Sequence, residues 1–260
     1  MALVRRSFAT PSPFVDAALT APVVRRSLSR ARHIIASSRY TERVLLRAYS
    51  RMQRTNLGCA ASGWARISST LRWQPARDGI PRLLTVSRLS EPRKNVDRVL
   101  HALSRLKDRH DFRYVVVGDG HDRARLERLA GDLQLGQRVR FTGFVNRAEL
   151  LDIYAQSDLM VLASAVIPGS HEGFGIVYLE AAASGVPSLA ARLAGAAEAV
   201  DEGKSGMYVE EPTVDAIAGA LGQVPRRPSS LRPGGLPEFR APIHLGEVVD
   251  HSLQYYSQPH

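Results

Sequence analysis

Residues 82–106 decide the fold class of this chain, and they read RLLTVSRLSEPRKNVDRVLHALSRL. The run from Arg82 to Ser87 is short, apolar and rich in β-forming residues, which predicts a strand. Apolar residues then recur at helical spacing, at Val96, Val99, Leu100, Leu103 and Leu106. A strand followed by an amphipathic helix predicts one unit of an alternating β/α fold.

The same alternation continues along the chain to residue 221. Further strands are predicted at residues 112–117, 139–142, 159–162, 188–191 and 207–209. Helices are predicted around residues 126–133 and 150–154, and over residues 176–183 and 214–221. This pattern predicts an α/β fold class, a doubly wound parallel sheet with helices on both faces. In such a sheet, ligands bind beyond the carboxyl ends of the strands.

The two ends of the chain lack this regularity. Residues 1–80 contain 14 of the 35 basic residues and 3 of the 25 acidic ones, a formal charge of +11 in a chain whose net charge is +10. Residues 52–80 predict a linker or loop, because they show little periodicity. We therefore divide the chain into a basic segment with its linker at 1–78, a Rossmann-like domain at 79–222, and a Pro- and Gly-rich stretch with a terminal helix at 223–260.

Composition excludes several classes of protein. With 260 residues, 44% of them hydrophobic and 23% charged, the chain has the balance of a globular protein. No stretch approaches the roughly 18 uncharged apolar residues that a membrane-spanning helix needs. The single cysteine, Cys59, excludes a disulfide within the chain and a cysteine-cluster metal site.

The basic N-terminal segment allows three interpretations. It could contact an anionic membrane surface, serve as an organelle transit peptide, or be a solvated tail. Zinc-finger spacing, aromatic ribonucleoprotein signatures and heptads do not occur in the sequence, so we expect no nucleic-acid partner.

The sharpest group of polar residues lies at residues 171–180, which read HEGFGIVYLE. Glu172 and Glu180 flank a turn that opens the predicted helix. Gly173 and Gly175 let the backbone approach a ligand closely, and the free N–H groups of a helix N-terminus attract a phosphate. Carboxylates at this place can accept hydrogen bonds from sugar hydroxyls. The alternative is a solvated helix start whose acids complement the helix dipole.

A second group follows the first predicted strand and comprises Arg88, Arg93 and Lys94. Cations at the carboxyl end of a strand could neutralise a pyrophosphate leaving group and so stabilise the transition state of transfer from a nucleotide. Taken alone, an ordinary basic loop is the simpler explanation.

Two further turns follow predicted strands. Gly118-Asp119-Gly120 is a weak signal, since a tight turn explains it as well. The loop at residues 145–147 lies at the same predicted sheet edge, where backbone groups could pair with a nucleobase.

Together and in this order, these segments resemble the carboxy-terminal domain of retaining glycosyltransferases of the GT4 family, which have the GT-B fold. The resemblance covers about residues 82–222. Its matching pieces are Val86-Ser-Arg-Leu, Lys94-Asn-Val-Asp, Val116-Val-Gly-Asp-Gly, Arg140-Phe-Thr-Gly-Phe-Val, Ser157-Asp, Glu172-Gly-Phe-Gly through Glu180, Gly185-Val-Pro and Glu198-Ala-Val. Residues 176–181 look most like phosphatidylinositol-mannoside mannosyltransferases.

The resemblance implies roles for the charged residues. Arg88, Arg93 and Lys94 would hold the diphosphate of a GDP- or UDP-sugar donor. Glu180 would bind the ribose hydroxyls, and Glu172 would be the catalytic carboxylate beside the transferred hexose.

Backbone and base contacts complete the implied donor site. The sugar and phosphate would meet the backbone of Gly173, Phe174, Gly175 and Ile176. The nucleobase would face Val145, Asn146 and Arg147. No metal or other cofactor is expected, since the family needs none and the sequence has no Asp-x-Asp pair. The implied reaction transfers a hexose, of mannose or glucose type, to a lipid, glycan or small-molecule acceptor with retention of configuration.

The resemblance stops short of a whole enzyme of this family. Only residues 25–46 are similar to the amino-terminal acceptor domain, namely to its last strand and helix. Three interpretations remain open: a glycosyltransferase whose acceptor half is truncated or encoded elsewhere, the donor-binding half of a split enzyme, or a non-catalytic nucleotide-binding domain. The expected location is cytoplasmic, at the inner face of the membrane if the basic segment contacts it.

Overall fold

The computed structural model describes residues 22, 26–28, 30–49, 57–59 and 78–224. The first ranges contain strand β1 (Ile34–Ala36), helix α1 (Arg39–Ala48) and strand β2 (Leu57–Cys59). β1 and β2 pair in parallel. The linker expected at 52–80 is therefore not irregular throughout, because three of its residues form a strand too short to show alternation. The terminal stretch from 225 onward, with its predicted helix, lies outside the described residues.

Six further strands form one fully parallel sheet. They are β3 (Arg82–Val86), β4 (Arg113–Val117), β5 (Val139–Gly143), β6 (Leu159–Leu162), β7 (Ser188–Ala191) and β8 (Gly206–Val209). Their order in space is β5-β4-β3-β6-β7-β8. The chain winds outward from β3 to β5, then returns to place β6 on the other side of β3. The boundary between β3 and β6 is thus the switch point of a doubly wound sheet, and in such sheets ligands bind there, beyond the carboxyl ends of the strands.

Helices follow each of these strands. They are α2 (Val96–Leu106), α3 (Arg123–Asp132), α4 (Arg147–Ala155), α5 (Ile176–Ala183), the one-turn helix α6 (Ala196–Ala199) and α7 (Val214–Gly222), with short 3-10 turns at Pro92–Lys94 and Gly136–Arg138. The predicted α/β class is confirmed. α6 was not predicted, since a single turn is too short to show helical periodicity.

The helices bury both faces of the sheet. On one face, Leu100, Leu103 and Ile217 of α2 and α7 pack against strand residues such as Leu83. On the other face, α4 and α5 contribute Tyr154, Phe174 (just before α5) and Tyr178 to a cluster with Leu84 and Met160, among others. Neighbouring residues such as 83 and 84 enter opposite layers because side chains alternate along a strand. This two-sided core fixes the loops at the carboxyl edge of the sheet.

The Gly-Asp-Gly turn after β4 supports the loop that follows β3. The N–H of Leu89 donates to the carbonyl of Asp119 at 2.8 Å. A Cβ atom at Gly118 would lie 1.9 Å from the carbonyl oxygen of Ser87, and one at Gly120 would lie 2.3 Å from the carbonyl carbon of Leu89. The glycines are needed because two backbone segments touch here, a contact that the tight-turn interpretation did not include.

Candidate functional site

Two loops meet at the switch point: the β3–α2 loop, residues 87–95, and the β6–α5 loop, residues 163–175. The side-chain amide of Asn95 donates to the carbonyl of Ala163 at 2.7 Å. The N–H of Ala165 donates in turn to the carbonyl of Arg93, also at 2.7 Å. Asn95 takes a left-handed conformation with φ of 55°, which lets the chain turn directly into α2. These bonds hold the basic residues of the first loop against the second loop.

Glu172 lies between the two cations that this arrangement presents. Its Oε2 atom accepts from Nζ of Lys94 at 2.6 Å and from Nη1 of Arg93 at 3.3 Å. The hydroxyl of Ser164 lies 3.4 Å from the same oxygen. The sequence predicted these residues as two separate groups, and the structure brings them together.

The contacts continue outward from Arg93. Its Nε donates to Ser170 at 2.9 Å, and its Nη2 is paired with Glu91. Glu91 also accepts from Arg88 at 2.6 Å. The result is a chain of alternating charges, Arg88–Glu91–Arg93–Glu172–Lys94. Arg88 does not join the buried cluster, since its side chain is 80% exposed and it is linked to Arg93 through Glu91.

The electrostatics of Glu172 follow from this setting. Burial by itself would raise the pKa of Glu172, but the charges and hydrogen bonds of Lys94 and Arg93 outweigh burial and lower that pKa below its usual value. Glu172 is therefore a carboxylate at neutral pH, and its charge offsets the two cations.

Contacts within the chain account for Gly175 and for the carbonyl of Gly173 in the β6–α5 loop. Gly175 is in the left-handed region with φ of 85°, and a Cβ atom there would lie 2.4 Å from the ring of Tyr178. The carbonyl of Gly173 accepts from the hydroxyl of Thr41 in α1. The predicted backbone contacts of residues 173–176 to a sugar and a phosphate stay a prediction.

Glu180 is the fifth residue of α5, as predicted, and a buried tyrosine contacts it. The hydroxyl of Tyr154 in α4 donates to Oε2 of Glu180 at 3.2 Å. Burial raises the pKa of Tyr154 well above its usual value, and the charge of Glu180 raises it further. Tyr154 therefore stays protonated and remains a donor to the carboxylate.

The predicted base-facing loop lies at the same edge of the sheet but farther along it. Asn146 caps α4 in a capping box, because its side chain accepts from the N–H of Glu149 and its N–H donates to the Glu149 carboxylate. Val145 precedes this cap, and Arg147 opens the helix with an exposed side chain. β5 lies three strand spacings from β6, about 14 Å. The structure thus keeps this loop apart from the charge chain.

Sequence reasoning gave no role to several residues that shape the site. Glu91 binds Arg93, Tyr154 binds Glu180, and Glu198 binds the first turn of α1. Only Glu91 has a local signal, its position between two arginines. The partners of Tyr154 and Glu198 are distant in the sequence, and only the folded chain brings them close.

Two further findings concern the described part of the chain. Among these residues, no group of three or more His, Cys, Asp or Glu side chains is placed to hold a metal ion. Within the same ranges, no helix combines the length and the apolar character that crossing a membrane requires.

The strand order, with charged side chains clustered at the switch point, defines a Rossmann-like α/β domain. The family model described as "Glycosyl transferases group 1" matches residues 69–232, and this chain belongs to that family. The prediction that the chain belongs to a glycosyltransferase family is thus confirmed.

The chain is similar to curated proteins of the same family. It is 38% identical over 161 residues to the GDP-mannose-dependent alpha-(1-6)-phosphatidylinositol monomannoside mannosyltransferase of Mycolicibacterium smegmatis, which covers 60% of this chain and 42% of that protein. It is 33% identical over 176 residues to a glycogen synthase of Mycobacterium tuberculosis, covering 67% of this chain and 40% of that protein. The chain thus spans about two fifths of the length of these relatives.

Solved structures show the same fold. Anabaena HepE, in complex with UDP and glucose, superposes with a TM-score of 0.72 at 19% identity, covering 95% of this chain and 69% of that one. The sucrose-phosphate synthase of Thermosynechococcus elongatus gives a TM-score of 0.71 at 22% identity, covering 95% and 63%. The sheet described above is the Rossmann-like half of a GT-B fold.

Proposed function

We propose that this chain is the donor-binding half of a glycosyltransferase of GT4 type, and that it binds a nucleoside diphosphate sugar at the crevice between β3 and β6. The observation that carries this proposal is the clamp of Lys94 and Arg93 on Glu172 at the switch point. Two cations and a carboxylate in one buried place match a diphosphate and a sugar that are bound side by side.

In this proposal the diphosphate takes the place of Glu172 beside Lys94. The N-terminal N–H groups of α5, which opens directly at Ile176, add hydrogen-bond donors for the same anion. Arg88 is exposed and is paired with Glu91, which also binds Arg93. Its side chain therefore lies near the clamp and binds the outer phosphate when it leaves Glu91. Glu172, once displaced, accepts hydrogen bonds from the hydroxyls of the hexose.

The nucleoside then extends along the carboxyl edge of the sheet. Glu180 binds the ribose hydroxyls. Tyr154 holds Oε2 of its carboxylate in place, which leaves Oε1 to accept from the ribose. The base lies toward the loop of Val145, Asn146 and Arg147. The capping box engages the Asn146 side chain, so the contacts to the base come from the backbone of this loop.

Transfer breaks the bond between the anomeric carbon and the β-phosphate oxygen. Negative charge develops on the leaving diphosphate, and Lys94, Arg93 and Arg88 stabilise it without a metal ion. The acceptor hydroxyl attacks the anomeric carbon from the face that the diphosphate leaves, and its proton passes to the departing phosphate oxygen. This front-face course retains the configuration of the sugar.

The identity of the sugar donor and of the acceptor is inferred from the relatives of this chain. The mycobacterial relatives are named for GDP-mannose and a phosphatidylinositol mannoside, which supports a mannose donor and a lipid acceptor. Anabaena HepE was solved with UDP and glucose, which supports a UDP-glucose donor instead. A lipid acceptor would suit a cytoplasmic protein whose basic N-terminal segment lies on the inner face of the membrane.

A second candidate is the donor-binding half of a split enzyme. In that case a partner chain supplies the acceptor domain, and this chain alone binds the donor without fast transfer. A non-catalytic nucleotide-binding domain would bind the donor and stay inactive with any partner.

Calorimetric titration with GDP-mannose, UDP-glucose and UDP-N-acetylglucosamine tests the proposal. We expect one of them to bind with a Kd below 1 mM, and the nucleotide of that donor to bind as well. Release of the nucleoside diphosphate, measured with and without added acceptor-domain protein, then separates the three candidates. No binding of any nucleotide sugar at millimolar concentration would contradict all of them.

A further inference from the structure

The first turn of α1 is capped by a carboxylate from a distant part of the chain. The N–H groups of Arg39 and Tyr40 each donate to Glu198 at 2.8 Å, across 159 and 158 residues of sequence. The third N–H of the helix, that of Thr41, donates to the side chain of the N-cap residue Ser38 at 3.0 Å. These bonds satisfy the N–H groups that a helix start leaves without intrahelical partners, and a negative charge is favourable there.

The same turn of α1 contacts the β6–α5 loop. The hydroxyl of Thr41 donates to the carbonyl of Gly173 at 3.2 Å, and the hydroxyl of Ser37 lies 3.4 Å from the same oxygen. The ring of Tyr40 packs edge-on against His171 with centroids 5.0 Å apart. α1 therefore covers the loop that carries Glu172.

Gly195 supports this loop from another side. Its N–H donates to the carbonyl of Glu172 at 3.0 Å, and its own carbonyl accepts from the N–H of Glu198 at 3.0 Å. A Cβ atom at Gly195 would lie 2.2 Å from the carbonyl oxygen of Gly173, so the backbones are in direct contact. Glu198 thus joins both supports of the loop, because it follows Gly195 in the chain and binds α1 through its side chain.

These contacts set the orientation of two peptide units. The carbonyls of Glu172 and Gly173 are bound by Gly195 and α1, and a trans peptide is planar. The N–H groups of Gly173 and Phe174 therefore point away from these supports. A ligand that accepts hydrogen bonds from these N–H groups therefore depends on an orientation that α1 helps to fix.

We propose that Glu198 is a positioning residue that fastens the first turn of α1 over the β6–α5 loop and so sets the backbone that contacts the sugar of the donor. The consequence for the sugar rests on the proposed function, whereas the fastening itself does not. Without the carboxylate, at least one of the two N–H groups loses its acceptor, and the first turn of α1 is held less firmly on the loop. The diphosphate is affected less than the sugar, since Lys94 and Arg93 belong to the β3–α2 loop and only the N–H groups of α5 adjoin the loop that α1 supports.

Hydrogen exchange of the full chain without ligand tests the fastening. The variant is Glu198→Gln, and the matched control is Glu210→Gln, which removes an equal charge from an exposed residue paired with Arg192. We expect amides at residues 39–42 and at residues 173–176 to exchange at least fivefold faster in Glu198→Gln and to be unchanged in the control. Faster exchange in α1 alone, or in neither segment, would overturn the proposal.

A second pair of variants tests the effect on the sugar. Thr41→Val removes the hydroxyl that binds Gly173, and Thr41→Ser keeps it. We expect the Kd of the nucleoside diphosphate to stay within twofold in both, while the Kd of the nucleotide sugar rises at least fivefold in Thr41→Val and is restored in Thr41→Ser. Equal weakening of both ligands would overturn the proposal. If the natural protein binds neither ligand, the proposed function fails and the exchange experiment still decides the fastening.

Discussion

The ammonium group of Lys94 donates a 2.6 Å hydrogen bond to the carboxylate of Glu172, joining two loops that lie 78 residues apart in the sequence. Both side chains are nearly buried, so solvent screens their attraction only weakly. A carboxylate therefore occupies the place where we propose that a diphosphate binds. Donor binding then requires an exchange of anions, from Glu172 to the phosphate.

Removing the charge of Glu172 should favour the nucleotide over the sugar. In Glu172→Gln, Lys94 and Arg93 no longer have a competing anion, so we expect the Kd of the nucleoside diphosphate to fall about tenfold, about 1.4 kcal/mol. Hexose transfer or donor hydrolysis should fall at the same time. Calorimetry on the variant and on Glu202→Gln, an exposed control, measures the change. Unchanged or weaker nucleotide binding in Glu172→Gln would show that Glu172 does not compete.

The lowered pKa of Glu172 predicts a pH dependence of stability. A carboxyl group whose pKa is lower in the folded state stabilises the fold above its unfolded pKa of about 4.3, and this contribution is lost as pH falls through the folded pKa. At pH 7, Glu172→Gln should lower stability by about 1–3 kcal/mol, because it leaves buried cations poorly paired. Melting curves of both proteins from pH 7 to pH 3 should show the difference in Tm shrinking below about pH 4. A constant difference would refute this role of the charge.

Tyr154 should matter for the ribose and not for the phosphates. Tyr154→Phe removes the hydroxyl that donates to Glu180 and leaves the buried ring in place. We expect the Kd of the nucleoside diphosphate to rise about threefold to tenfold, which is within the net value of about 0.5–1.5 kcal/mol for one hydrogen bond, because the lost bond acts on the ribose only by orienting Glu180. Inorganic pyrophosphate, which has no ribose, should bind both proteins equally. An equal loss of affinity for the nucleoside diphosphate and for pyrophosphate would show that Tyr154 does not act through the ribose.

Asn95 should stabilise the junction of the two loops in two separable ways. Asn95→Gly keeps the left-handed conformation but loses the bond to the carbonyl of Ala163, and Asn95→Ala loses both. We expect Asn95→Ala to be the less stable variant, by about 1 kcal/mol, because a residue with a Cβ atom is strained at positive φ. Chemical denaturation measures both. Equal stability would mean that the backbone conformation is not the constraint.

The fold could be predicted from the sequence because predicted strands and helices alternate regularly along residues 82–221. Within residues 78–224, every strand of the six-stranded sheet and every helix of eight or more residues coincides with an apolar run or with apolar residues at helical spacing. β2 was missed because its three residues owe their conformation to pairing with Ile34–Ala36, which no local pattern encodes.

The candidate site was predicted in parts. Arg93, Lys94 and Glu172 follow two different strands, and only the strand order shows that those strands are neighbours. The capping role of Asn146 was missed although its spacing to Glu149 is a known helix-start signal. The contacts of Tyr154 and Glu198 could not be predicted, because each joins elements that are distant in the sequence.

Nucleotide binding by Lys94→Ala tests the central claim most directly. Lys204→Ala is the matched control, since Lys204 is an exposed lysine paired with Asp201 far from the clamp in sequence. Thermal denaturation is followed for the natural protein and both variants with GDP and with UDP at millimolar concentration. We predict that one of the two nucleotides raises the Tm of the natural protein and of Lys204→Ala by several degrees, and that Lys94→Ala loses this shift. No shift with either nucleotide, or an equal shift in Lys94→Ala, would contradict the assignment of this crevice as a donor site.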